Sequence, residues 1–327
     1  LLAWANDYPK SWIIPFAKNL SAFVKWLLKE ADLGLFTFKE FTRAIGALLD
    51  APTLFLKSLL VTGFKLEGKQ DVLLQIPPLS WLGVTIIFVM LGSSLGNRRL
   101  TLFILVSFLY VAFIGLWEST MLTLASIVVA VVLGILVGVL LGIAAFKWTA
   151  IDRILTPVFD VMQTMPVFAY MVPALMMFGY GPAAAMVVTL IYAMPPMARV
   201  TKISLAQVNS ETVEFGRMAG CSTKQLTWKV MIPSIRPRLM VGVNQVIMLT
   251  LNMVIIASLI GAGGLGFDVW QALKSLRIGQ GAEAGIAITL VAIVLDRISQ
   301  EFAARRPVHT DHVPSFTQKY RLLILVG

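Results

Sequence analysis

Long apolar segments alternate with short polar ones from residue 81 to residue 300. Each segment approaches the roughly 20 apolar residues that an α-helix needs to cross a bilayer. The pattern predicts an all-α integral membrane protein with about seven spans. The predicted spans are residues 81–96, 100–117, 119–146, 158–178, 183–198, 239–262 and 284–300. The 183–198 segment is short enough to be a re-entrant or buried helix instead.

The first 76 residues follow a different pattern. Apolar residues recur there near helical spacing, and tryptophans and lysines are interspersed among them. This predicts an amphipathic helix lying at the membrane interface, with Trp12, Trp26 and Lys25 among its anchors. We therefore divide the chain into an N-terminal interfacial scaffold (1–76), a transmembrane domain (77–303) and a C-terminal tail (304–327).

Composition supports a membrane protein. Of 327 residues, 58% are hydrophobic and 13% are charged, which is about half the charge of an average soluble domain. The net charge of +10 comes from basic residues between the apolar segments, where they are typical of cytoplasmic loops and of contact with lipid headgroups. We therefore expect no nucleic-acid partner. A single cysteine, Cys221, excludes an internal disulfide.

The basic residues also predict an orientation. Seven Lys and Arg residues lie between Arg199 and Arg238, against two glutamates, so this loop should be cytoplasmic. Counting spans in both directions from the loop places the C-terminus in the cytoplasm and the N-terminus outside. The second inference fails if the N-terminal scaffold contains an eighth span.

Patterns typical of cofactor sites lack the right context. Gly63 to Lys69 has the spacing of a phosphate-binding loop, but Gln70 replaces the hydroxyl residue that would hold magnesium, so we interpret it as a polar loop. Gly261 to Gly266 matches a dinucleotide fingerprint but follows an apolar helix. The two histidines, His309 and His312, lie in the tail without further ligands. We predict no catalytic residue, no metal site and no cofactor in this chain.

Two helix faces stand out within the predicted spans. Small residues at Gly134, Gly138 and Gly142 share one face, which favours close helix packing in lipid. Amide and thioether side chains lie on one face of the 239–262 span and near the start of the 158–178 span. They either line a translocation path or form hydrogen bonds between helices. These candidate path residues are Gln163, Asn244, Met248 and Asn252.

The cytoplasmic loop 199–238 contains a predicted helix–turn–helix. Glu211 and Glu214 favour the start of a short helix, and Gly220 can adopt the left-handed conformation that ends it. Ser222 and Gln225 have capping-box spacing, which predicts a second helix that ends at Ile232 before Pro233. This elbow is either a structural loop or a docking point for a soluble partner.

The loop resembles the EAA loop of binding-protein-dependent ABC importer permeases. Glu214, Gly220, Ile232 and Pro233 match that pattern, whereas Phe215 and Gly216 replace its two alanines. A wider region is similar to the glycine betaine/proline betaine branch of these permeases. It includes DVMQTMPVFAYMVPALMMFGYGP (160–182), YAMPPMARVT (192–201), GVNQVIMLTLNMVIIASLIGAGGLG (242–266) and LDRISQ (295–300).

The resemblance implies the transmembrane domain of a type I ABC importer in a bacterial inner membrane. Its expected partners are a second permease copy, two cytoplasmic ATPase subunits that bind ATP and Mg, and an extracytoplasmic binding protein. The implied substrate is a quaternary ammonium or related osmolyte such as glycine betaine. The residues implied in coupling to the ATPase are Glu214, Arg217, Gly220, Ser222, Ile232 and Pro233.

Other functional classes fit the residues less well. A self-contained secondary transporter should have broken helices in two repeated halves and carboxylates within the membrane for ion coupling. Asp160 and Asp296 instead lie at the ends of predicted spans. An integral-membrane enzyme would need clustered His, Asp or Glu at membrane depth. An ABC permease for a different small solute stays open.

Overall fold

The computed structural model describes residues 15–30, 37–67 and 72–304, and it is mainly helical there. Capping side chains begin several of the helices, as at Ser80, whose Oγ accepts a hydrogen bond from the backbone N–H of Gly83. The helices are α1 (Phe16–Lys29), α2 (Phe38–Lys57), α3 (Trp81–Ser94), α4 (Arg98–Phe113), α5 (Trp117–Lys147), α6 (Thr149–Thr164), α7 (Val167–Phe178), α8 (Pro182–Ala206), α9 (Ser210–Met218), α10 (Thr223–Gln225), α11 (Ile232–Ser234), α12 (Arg236–Asn252), α13 (Val254–Leu259), α14 (Leu265–Lys274) and α15 (Ile278–Ala304).

Four described helices are long and apolar enough to cross a membrane. They are α5, α8, α15 and the continuous helix Phe38–Thr62, in which α2 extends into the π-helical turn Ser58–Thr62. The helices α3 and α4 are shorter, and their rise of about 21 and 24 Å is less than the hydrocarbon thickness of a typical bilayer. The number of spans therefore stays a prediction.

Two predicted spans are not single helices. The 158–178 segment is broken at Met165 and Pro166, and the axes of α6 and α7 differ by 106°. Pro166 disfavours a helical conformation at Met165, which has an extended backbone instead. The 239–262 segment is interrupted at Met253, between α12 and α13, and its helical part ends at Leu259.

The segment 183–198 forms part of the long helix α8, which is the most buried of the four apolar helices. Pro195 and Pro196 lie inside this helix without ending it. The helix also continues past Arg199 and Lys202 to Ala206. The helix therefore extends eight residues beyond the predicted span, because basic residues mark the membrane boundary rather than the helix end.

Helix α5 lies at the centre of the bundle and packs along α8 and α12. All three glycines of the predicted packing face are buried. An added Cβ at Gly138 would lie 2.7 Å from Met197 Cβ, and one at Gly142 would lie 2.6 Å from Thr201 Cβ. The backbones of α5 and α8 therefore approach too closely there for a larger residue.

The bundle has two ends, which we call the elbow end and the far end. The elbow end carries residues 207–235, hereafter the elbow. At the far end, the N–H of Gly181 donates to the carbonyl of Ile260 (3.0 Å), and the N–H of Leu265 donates to Thr123 Oγ1 (2.8 Å). The turn between α7 and α8 therefore lies beside the loop that precedes α14.

A β-hairpin is the exception to the predicted all-α architecture. Its antiparallel strands are β1 (Phe64–Glu67) and β2 (Val72–Ile76), so part of the segment interpreted as a polar loop is a strand. The helix Phe38–Thr62 leads into it. Near the end of this helix, the Leu59 carbonyl accepts a hydrogen bond from the N–H of Leu79, just before α3.

The helix Phe38–Thr62 lies obliquely on the bundle. An added Cβ at Gly46 would lie 3.6 Å from Phe178, at the far end. Asn97, which lies between α3 and α4, donates a hydrogen bond to Glu301 at the elbow end of α15. Helix α3 therefore ends towards the elbow end, and the segment before it lies at the far end. Gly46 and Gly63 are seventeen residues apart, which corresponds to a helical rise of about 25 Å. A helix parallel to the bundle axis would place them at opposite ends of the bundle, whereas both lie towards the far end.

Candidate functional site

The first helix of the elbow, α9, has polar residues suited to both of its ends. Its cap is Asn209, whose Oδ1 accepts a hydrogen bond from the N–H of Glu211 (3.1 Å). Glu211 lies in the first turn and Arg217 in the last, as the helix dipole favours. Glu214 is exposed in the middle of the helix.

Gly220 ends α9 in the predicted left-handed conformation, with φ +76°. The N–H of Cys221 donates to the Gly216 carbonyl, and the N–H of Gly220 donates to the Arg217 carbonyl. These two bonds form a Schellman motif, which satisfies the last carbonyls of the helix. A residue with a Cβ is strained in this conformation, so the glycine fixes the angle of the turn.

Ser222 and Gln225 form the predicted capping box. The N–H of Gln225 donates to Ser222 Oγ (3.4 Å), and the N–H of Ser222 donates to Gln225 Oε1 (2.9 Å). The helical path then continues through a π-helical stretch, Leu226–Met231, and through α11. Pro233 therefore does not end the helix as predicted. It lies in the first turn of α11, where its missing N–H is not needed.

One face of the elbow is buried against the spans. Its side chains form an apolar cluster with residues near the elbow ends of α5 and α8. Ile232 is half-buried at the edge of this cluster, and Pro233 is exposed. The elbow is therefore attached to the spans through packing as well as through the chain. The buried members are Ile143, Leu205, Leu226, Met231 and Ile235.

Sequence reasoning overlooked Gly216, noting only that it replaces an alanine of the EAA pattern. Gly216 is buried where α9 meets the π-helical stretch, and an added Cβ would lie 2.6 Å from Leu226 Cδ1. The elbow has two arms: α9 is the first arm, and the helical path from Thr223 to Ser234 is the second arm. The close approach at Gly216 lets these two arms pack tightly. The signal available in the sequence was a glycine inside a short helix, where glycine is unfavourable unless packing requires it.

The opposite face of the elbow is solvent-exposed and partly apolar. Met218 is 81% exposed, Phe215 is 69% exposed and Trp228 is 50% exposed. Arg217 and Lys224 of the elbow are exposed as well. Large apolar side chains together with arginine and tryptophan are typical of protein interfaces. We call Phe215, Met218 and Trp228 the elbow patch.

The candidate path residues do not form one site. Asn244 Oδ1 accepts a hydrogen bond from Ser299 Oγ of α15 (2.7 Å), so this amide joins two helices. Met248 and Asn252 are exposed on α12. Gln163 is half-buried on α6, which packs mainly on α5 and α8 rather than on α12.

The described residues contain no group of three His, Cys, Asp or Glu side chains that could hold a metal ion. His309 and His312 lie outside the described residues. The glycine-rich segment Gly261–Gly266 follows the apolar helix α13, and its last two residues begin α14. This segment therefore connects two helices instead of following a strand, as a dinucleotide site would require.

Residues 130–302 match the family model described as "Binding-protein-dependent transport system inner membrane component". The trimethylamine N-oxide transport system permease protein TmoV of Ruegeria pomeroyi is 36% identical over 99% of this chain and 48% of that protein. This chain therefore spans about half the length of that relative.

Two other relatives are covered more completely. The glycine betaine transport system permease protein OpuAB of Bacillus subtilis is 41% identical over 68% of this chain and 79% of that protein. The glycine betaine/carnitine transport permease protein GbuB of Listeria monocytogenes is 37% identical over 85% of this chain and 94% of that protein. With its apolar helical bundle and packed elbow, the chain belongs to the family of binding-protein-dependent transport system inner membrane components.

Proposed function

We propose that this chain is the permease subunit of an ATP-driven importer for small trimethylammonium osmolytes. In each copy of the chain, a cytoplasmic ATPase subunit that binds ATP and Mg displaces the elbow. The elbow passes this displacement to the spans. The observation that carries the proposal is the two-faced elbow. Its buried face packs on α5 and α8, while the elbow patch is exposed for a soluble partner.

The six coupling residues divide into different tasks. Gly220 and Ser222 set the angle between the arms through the Schellman motif and the capping box. Ile232 anchors the second arm in the apolar cluster. Glu214 and Arg217 are exposed on α9, where they offer polar contacts to the ATPase. Pro233 shapes the exit of the elbow into α12 and is itself exposed.

The substrate class follows from the relatives' names. Glycine betaine, carnitine and trimethylamine N-oxide each have a nitrogen with three methyl groups and a nearby anionic oxygen. A binding protein selects the positively charged, methylated nitrogen of such a zwitterion most readily by enclosing it in aromatic faces. The permease itself has only to let this compact, net-neutral group pass, so we expect its own lining to be permissive.

The proposed assembly contains two copies of this chain, two ATPase subunits and one extracytoplasmic binding protein. A second copy would cover exposed side chains of α12, and Met248 and Asn252 would then line a path between the copies. We place the elbow and the C-terminus in the cytoplasm because basic residues surround the elbow. We place the N-terminus outside, which the oblique position of the helix Phe38–Thr62 supports.

Purification of the chain from its native host, with the subunits that accompany it, tests the proposal. Proteoliposomes should accumulate labelled glycine betaine, carnitine or trimethylamine N-oxide only with internal ATP and external binding protein. Uptake driven by an ion gradient without partner subunits would contradict the importer assignment. ATP-driven uptake of an unrelated solute alone would contradict the substrate class.

A further inference from the structure

Two ion pairs connect α6 to α8 near the elbow end. Arg199 Nη2 lies 2.6 Å from Asp160 Oδ1, and Lys202 Nζ lies 2.5 Å from Asp152 Oδ1. Throughout the described ranges, every ion pair joins this same pair of helices. Arg199 and Lys202 therefore do more than set the orientation of the loop in the membrane.

The acidic partners lie along one stripe of α6. Asp152, Thr156 and Asp160 follow one another at intervals of four residues, so they share a helix face. Thr156 Oγ1 donates a hydrogen bond to Asp152 Oδ1 (3.2 Å), which holds that carboxylate in the stripe. The more N-terminal acid pairs with the more C-terminal base, so the two helices run antiparallel here.

The contact between these helices combines a buried apolar part with an open cleft. A cleft of about 230 Å³ lies beside this contact, and the four charged side chains line it together with Phe159. Phe159 is buried against Met194 and Ala198. The charged side chains are between 25% and 60% exposed. Water and salt therefore screen both pairs, so that each pair contributes modestly to the contact and the two act together.

Helix α8 connects this contact directly to the elbow. Leu205, in the last turn of α8, is buried in the elbow's apolar cluster. The next residues enter the elbow, where Gln207 Oε1 accepts a hydrogen bond from Arg238 Nη1 (3.1 Å). A displacement of the elbow therefore moves the adjoining end of α8, which carries both basic residues.

We propose that the pairs Asp152–Lys202 and Asp160–Arg199 form an electrostatic latch that transmits displacement of the elbow from α8 to α6. Because α6 meets α7 in a 106° bend at Pro166, pulling on α6 reorients the bent pair rather than one straight helix. The four charged side chains are positioning residues. This inference rests on the proposed function, since it assumes that ATPase subunits displace the elbow.

Charge exchange in the reconstituted importer tests the latch. Arg199→Asp and Asp160→Arg place like charges together, whereas the double variant restores an ion pair of opposite direction. Each single variant should lower the substrate imported per ATP hydrolysed about fivefold while ATP hydrolysis continues. The double variant should recover most of this loss. Arg153→Asp, an exposed charge reversal on α6, is the matched control and should have no effect.

A distance measurement separates the latch from the proposed function. Spin labels at exposed Ala150 and Ile203, in a Cys221→Ser background, report the separation of α6 and α8 without transport. Single reversals should broaden this distance distribution, and the double variant should narrow it again. The latch would be overturned if the single variants changed neither the distance distribution nor the amount of substrate imported per ATP hydrolysed. If the distance changed but the substrate imported per ATP hydrolysed did not, the pairs would be a static anchor, and the proposal that they transmit displacement would be overturned. If the unmodified complex imports nothing, the proposed function is wrong, and the proposed transmission is wrong with it. The distance measurement then decides only whether the two pairs hold α6 on α8.

Discussion

Substitution of Gly220 by valine tests the elbow with a calculable perturbation. Gly220 has φ +76°, and no atom lies within 4 Å of the position that a Cβ would occupy. The penalty therefore comes from the backbone alone, at about 1–2 kcal/mol for a residue with a Cβ, and valine's branching adds to it. This penalty lowers the equilibrium constant for forming the native turn about 5- to 30-fold. Uptake should fall, because a larger fraction of the elbows has its second arm out of the docking position.

Gly96 provides a matched control for this experiment. It has φ +81° and equally open space around its Cβ position, but it lies between α3 and α4, outside the elbow. Gly96→Val carries the same backbone penalty and should leave transport near normal, and Gly220→Asn should be milder than Gly220→Val because asparagine tolerates this conformation. Uptake and substrate-stimulated ATP hydrolysis are measured in proteoliposomes. If Gly220→Val transported as well as Gly96→Val, the reasoning would be wrong.

Further predictions concern topology, packing, a buried hydroxyl and selectivity. In a Cys221→Ser background, a cysteine at position 274 should react with an impermeant maleimide on intact cells, whereas a cysteine at position 224 should react only after permeabilisation. Labelling of position 224 on intact cells would contradict the predicted orientation. Gly142→Leu should lower the free energy of unfolding by about 1–3 kcal/mol, because an added Cβ lies 2.5 Å from the Ala198 carbonyl oxygen; an unchanged thermal midpoint would contradict this packing. Thr250 Oγ1 is buried without a hydrogen-bond partner among the described residues, so Thr250→Val should leave the thermal midpoint equal or higher, and a clear drop would refute this. Isothermal titration should find weak or undetectable binding of osmolytes to the isolated permease, and micromolar, discriminating binding would place selectivity in this chain.

Features that depend on a few neighbouring residues could be predicted from the sequence. The turn at Gly220 and the capping box at Ser222 are formed by groups that lie within five residues of one another, so the residue types suffice to identify them. The wider resemblance predicted the family, because it rests on long stretches of sequence. The path beyond Ser222 was harder, because the π-helical stretch places Pro233 in a position where its missing N–H is harmless.

Features that depend on tertiary contacts could not be predicted. The chain contains proline at 166 and again at 195 and 196, yet only the first of these sites ends a helix. Local preference is the same at each, and the surrounding packing decides the outcome. Likewise, Asp152 and Lys202 are separated by fifty residues, so the ion pair depends on how α6 folds back onto α8.

Cross-linking from the elbow patch tests the central claim most directly. A photoreactive amino acid at Met218, which is 81% exposed on the elbow, is compared with the same group at Leu276, which is 86% exposed after α14. In membranes of the native host, irradiation should join position 218 to an ATPase subunit, identified by mass spectrometry, and position 276 should give no such product. An ATPase adduct at position 276, or none at position 218, would contradict the assignment of the elbow as the coupling site.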